Sequence, residues 1–93
     1  MKIYSRLQLF AILMPAMASA LRIPLPASPF SLAVLDLQSR IRSGGDTEAI
    51  ARTLYAEANG VLSKAQALVI TRMGKTLWSI IKHVDLPERR YDV

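Results

Sequence analysis

Three apolar runs recur at helical spacing and are separated by sharp stop signals, and nothing in the chain alternates with a strand-like period of two. Phe30, Val34, Leu37 and Ile41 recur at steps of four, three and four, which builds one apolar face of a helix ended by Gly44-Gly45. Ser28 and Pro29 stand where a cap and a first helical residue belong. Asp36 and Arg40 are spaced to pair one turn apart, on the side away from that face. Asp46 caps a second helix, with Glu48 in its first turn, and Ile50, Ala51, Leu54, Tyr55 and Ala58 form its apolar set. Asn59-Gly60 stops it, because both residues tolerate the left-handed conformation of a helix end. Ser63 and Gln66 have the form of a capping box, and a third helix follows through Leu77, Trp78, Ile80, Ile81 and Val84, bending at Gly74 and closed by Pro87. The expected fold is all-α, a small bundle of three to four helices.

The N-terminus reads as a processing segment. Lys2 and Arg6 precede an apolar run from Leu7 to Ala18, and Ala18-Ser19-Ala20 offers the small residues of a cleavage site. That run is shorter than the about 20 apolar residues of a membrane span. The expected organisation is a signal peptide over 1–20, a proline-rich linker over 21–29, a helical domain over 30–86 and a polar tail over 87–93. Export to the periplasm or the extracellular space follows, with an uncleaved N-terminal anchor as the rival.

Cutting after Ala20 leaves 73 of the 93 residues, and losing Lys2 and Arg6 takes the net charge from +5 to +3. A domain of that size has a thin core, and with no cysteine it has neither disulfides nor thiol chemistry nor zinc–thiolate sites. The scattered cations form no basic run interleaved with aromatics, so nucleic acid is not an expected partner, and no cofactor or metal site is expected.

On a helical wheel Glu57 falls beside Ile50 and Leu54, at the edge of the apolar stripe and one turn before the helix stops. Partial burial and the negative helix end both disfavour its charged form, which raises its pKa toward that of a general acid. The plain alternative is a helix carboxylate that reaches solvent.

The segment Ala51-Arg52-Thr53-Leu54-Tyr55-Ala56-Glu57-Ala58-Asn59-Gly60 resembles the signature of the SleB-type cell-wall hydrolases, the spore-cortex lytic enzymes and their relatives. Ala65 to Arg72 is similar to that family's next helix, Thr76 to Ile81 to the segment after it, and Arg90-Tyr91 to a Gln-Phe pair that often follows, so the resemblance spans about residues 46–91. Asn59 stands where the family has Arg, Thr71 where it has Asn, and the stretch between Gly60 and Arg72 is shorter by about one helical turn. The resemblance implies a truncated lysozyme-like fold that cleaves peptidoglycan glycan strands as a lytic transglycosylase. Glu57 would then be the catalytic residue, protonating the departing oxygen and afterwards acting as base. Tyr55 and Trp78 are the substrate-binding candidates, each with a packing role as the simpler reading.

His83, alone in a last helical turn, reads as a surface group that compensates the helix dipole, and Arg89-Arg90 as solvated charge. The reading from another class is non-enzymatic: Ser63 to Val84, apolar with Lys64, Arg72, Lys75 and Lys82 along it, would lie on an anionic membrane surface or dock on a partner, for instance as a subunit of an envelope or virion assembly.

Overall fold

In the computed structural model, which describes residues 5–25 and 32–84, the chain is all-α: α1 (Arg6–Ala20), α2 (Leu32–Arg42), α3 (Thr47–Ala58) and α4 (Lys64–Ile81). The expected cap at Ser28, the stop at Pro87 and the dibasic Arg89-Arg90 lie outside the described residues.

The segment read as a removable leader is α1. Ser5 and Gln8 form a capping box, the Gln8 N–H donating to Ser5 Oγ at 3.1 Å and the Ser5 N–H to Gln8 Oε1 at 2.8 Å. The helix runs through Pro15 to Ala20 with Leu21 as its C-cap, and Arg22 just beyond takes a left-handed φ of 58°. Ile23 N–H then donates to Ala18 O and Arg22 N–H to Ser19 O, both at 2.9 Å, which satisfies the carbonyls of the last turn. Phe10, Ala11, Met14 and Ala18 are completely buried, so in the uncut chain this segment is part of the core.

α3 and its neighbours follow the sequence closely. Gly44 takes φ 83° in the turn after α2, Asp46 Oδ2 accepts from the Ala49 N–H at 3.1 Å, and Asn59 ends α3 in the left-handed region. The α4 capping box forms with both hydrogen bonds at 3.0 Å.

Gly74 does not bend α4, which is one helix of 18 residues. Gly74 is instead a point of close approach: a Cβ there would stand 2.7 Å from Ile41 Cδ1 and 3.5 Å from Met14 Sδ and Phe10 Cζ. Only a residue without a side chain lets α4 come this near to α1 and α2 at once. α4 contacts all three other helices. Its buried Ala67, Ile70, Leu77 and Ile81 meet Val34, Leu37 and Ile41 of α2 and Ile50 and Leu54 of α3 in one core.

Two polar ties hold α4, one at its C-terminal end and one at Lys75 within it. Arg6 donates to Ile81 O at 3.3 Å and Val84 O at 2.6 Å, capping carbonyls that the end of α4 leaves open. Lys75 Nζ donates to Thr47 Oγ1 at 2.7 Å and Gly45 O at 3.2 Å. This tie brings residue 75 to the start of α3, while Lys64 lies over the Tyr55 ring near its end, so α3 and α4 run antiparallel. Among the described residues no helix is long and apolar enough to cross a membrane.

Candidate functional site

Glu57 lies near the C-terminal end of α3 with its side chain 46 % exposed. Arg40 of α2 reaches it at 3.4 Å, and the same guanidinium donates to Asp36 Oδ2 at 2.8 Å. The Asp36–Arg40 pair forms as the spacing predicts. Arg40, however, lies only about 60° around the helix from Leu37, at the margin of the apolar stripe and not opposite it. The α2–α3 contact therefore carries Arg40 and Asp36 to Glu57. Neither residue was tied to Glu57 by the sequence, because their meeting depends on how two helices pack.

The Glu57 carboxyl is raised above its ordinary range. Partial desolvation contributes most, followed by the hydrogen bond and negative charge of Asp36, against the opposing pull of Arg40. The Arg40 guanidinium is itself raised, chiefly by its hydrogen bond to Asp36. The direction at Glu57 suits a general acid, and its leading cause is the one expected from the wheel.

The surroundings suit a glycan less well. The crevice lined by Asp36, Leu37, Arg40, Ile50, Leu54 and Glu57 leaves essentially no room for even a water molecule. Binding clefts for small molecules run to about 300–1,000 Å³.

The three candidate residues do not converge. Tyr55 is two positions from Glu57, about 200° around the same helix, and lines a different groove with Ala51, Arg52 and Leu68. Trp78 is half-buried on α4 and meets Phe10 edge to face, with ring centroids 6.5 Å apart, so it packs α1 onto α4. No group of three or more His, Cys, Asp or Glu side chains able to hold a metal occurs among the described residues.

Comparison with known proteins finds no matching family, no matching curated protein and no matching solved structure. The resemblance to the SleB-type hydrolases rests on its motif residues alone.

The feature not drawn from the sequence is the segregation of charge. Every described carboxylate belongs to α2, α3 or the turn between them: Asp36, Asp46, Glu48 and Glu57. No Asp or Glu precedes Asp36, and none lies between Ala58 and Val84. The half of the molecule built from α1 and α4 is therefore free of carboxylates across its described residues. This was legible as a gap in the order of acidic residues; its meaning depended on α1 packing against α4.

Proposed function

We propose that this protein binds anionic phospholipid surfaces through the α1–α4 half of the bundle. The observation that carries the reading is the combination, on one half, of exposed cations, exposed apolar side chains and no carboxylate among the described residues. Arg22, Lys64, Arg72 and Lys82 are exposed there and make no ion pair among the described residues. Leu7, Leu13, Leu21, Val69, Ile80 and Val84 are large apolar residues exposed on the same two helices or just past their ends. Val69 and Ile80 fall within about 20° of each other on α4, with Arg72 about 60° to one side, while Lys64 and Lys82 lie about 140° from Val69, Lys64 on the flank that faces Tyr55 of α3. Apolar groups that sink into the interface beside cations at headgroup level are the arrangement of a surface-binding helix. Each cation near such a surface contributes about 1 kcal/mol.

The fold sharpens this charge. Asp36 and Glu57 are occupied by Arg40, and Asp46 caps α3, which leaves Glu48 as the one described carboxylate with neither an ion pair nor a cap.

The test is sedimentation of the full chain with vesicles of equal parts phosphatidylglycerol and phosphatidylcholine, and with phosphatidylcholine alone. Binding to the first, weakened by salt, supports the reading; equal binding to both, or none at low salt, overturns it.

A second reading, peptidoglycan cleavage by an exported protein, is favoured by one observation: Glu57 is raised by desolvation and by Asp36. It predicts that the protein releases soluble fragments from cell-wall sacculi and that Glu57→Gln abolishes release while the helical circular dichroism is kept. Release by the Gln variant would remove Glu57 from the chemistry, and no release by the parent would remove the activity.

A further inference from the structure

Between α3 and α4, on the side of α3 away from Glu57, lies a groove of about 450 Å³ lined by Glu48, Ala51, Arg52, Tyr55, Lys64 and Leu68. Its volume is within the range of sites for small ligands. Its chemistry is divided. Ala51 is buried and Leu68 half-buried, and with the Tyr55 ring they offer an apolar floor. Arg52 and Lys64 are exposed on its walls and make no ion pair among the described residues. Lys64 Nζ is held 5.7 Å from the Tyr55 ring centroid, which places a cation over the end of the groove where the ring closes it. The single opposing charge, Glu48, sits one turn before Arg52, toward the other end of α3.

We propose that this groove is a binding site for one anionic amphiphile of the fatty-acid class. The alkyl chain would lie along Ala51, Leu68 and the Tyr55 ring, and the carboxylate would sit between Lys64 and Arg52. Charge complementarity selects the head: Lys64 stands over the Tyr55 end, Arg52 lines the groove one turn before Tyr55, and Glu48, a further turn along α3, repels an acid from the other end. The apolar floor selects the tail, since a free inorganic anion gains nothing from Ala51, Leu68 and the ring. Antiparallel α3 and α4, tied at one end by Lys75 to Thr47 and at the other by Lys64 over Tyr55, keep the groove formed before any ligand arrives. The site does not depend on the surface-binding reading.

The test is amide-resolved NMR of the full chain titrated with decanoate below its micelle-forming concentration. Decyltrimethylammonium, 1-decanol and acetate serve as comparison probes. Saturable shifts confined to the residues around Ala51, Tyr55, Lys64 and Leu68 are expected with decanoate. Decanol should bind more weakly, and the cationic amphiphile and acetate should produce no saturable shift there. Lys64→Glu and Arg52→Glu are both on exposed side chains and leave the fold intact; each should weaken decanoate at least about fivefold, a loss of roughly 1 kcal/mol. No saturable shift with decanoate, equal response to the cationic amphiphile, or unchanged affinity in both variants would overturn the proposal. Loss of vesicle binding with decanoate binding retained would remove the surface reading and leave this site standing.

Discussion

Phe10 of α1 meets Trp78 of α4 edge to face, their ring centroids 6.5 Å apart and their planes at 76°. The contact makes the N-terminal segment part of the bundle's core, and it decides which surfaces of α4 are left for anything else. Phe10 is completely buried, and Trp78 is half-buried against it. Replacing a buried Phe by Ala costs about 3–5 kcal/mol. A bundle of this size has little more than that to lose. Phe10→Ala is expected to bring the urea midpoint close to zero at 25 °C, followed by far-ultraviolet circular dichroism. A variant as stable as the parent would show that α1 does not contribute to the core in solution.

Removal of residues 1–20 sets the two readings of the N-terminus against each other. The shortened chain loses Phe10, Met14 and Ala18 from the core and Arg6 from the end of α4. It is expected to show reduced helicity and fast amide exchange along α4. A shortened chain with the parent's helicity and a cooperative transition would instead support a self-sufficient helical domain over 30–86.

Gly74 and Ile41 define a second test. Ala is about 1 kcal/mol better than Gly in a helix interior. At position 74, however, its Cβ would stand 2.7 Å from Ile41 Cδ1. Ile41 is only 6 % exposed, so its methyl has little freedom to retreat. Gly74→Ala alone is expected to destabilise by about 1–3 kcal/mol. Ile41→Val removes the offending methyl, and in that background the same change should be neutral or stabilising. Additive effects of the two changes would refute the close approach.

The pH behaviour of Glu57 has a definite sign. Its folded pKa lies above its unfolded value, so the folded chain holds this proton to higher pH than the unfolded chain does. Its contribution to stability is therefore most favourable below the unfolded pKa and declines as pH rises through the folded one. Glu57→Gln should change stability at neutral pH by no more than about 0.5 kcal/mol, because the side chain is well exposed and Arg40 keeps Asp36 as a partner. Carboxyl-resolved NMR titration should place Glu57 above an ordinary glutamate, and Asp36→Asn should bring it down. An unshifted Glu57, or one that rises in the Asn variant, would contradict the arrangement.

Local signals were the legible part of this fold. Asp46, Asn59, Ser63 with Gln66, and Gly44-Gly45 each act within a few residues of their own position, and each does what its chemistry predicts. The all-α class follows from the same runs. What the chain could not show by itself are the meetings of distant elements: Arg40 with Glu57, Arg6 with Val84 O, and Gly74 with Ile41. The same holds for α1, whose Lys and Arg followed by an apolar run suit a leader and a buried helix alike. Ser5 with Gln8 is the local signal there, since a capping box marks the start of a helix in either setting. At the candidate site, the direction of Glu57's shift was readable from the wheel, but the narrowness of the crevice it lines was not.

The proposed binding to an anionic phospholipid surface depends on the placement of charge and not on its total. Arg72→Glu on α4 and Arg42→Glu at the end of α2 change the net charge equally, and both side chains are exposed. Their affinities for phosphatidylglycerol-containing vesicles, measured side by side at one salt concentration, test the claim most directly. Arg72→Glu should weaken binding roughly tenfold or more, and Arg42→Glu far less. Equal losses in the two variants would contradict it.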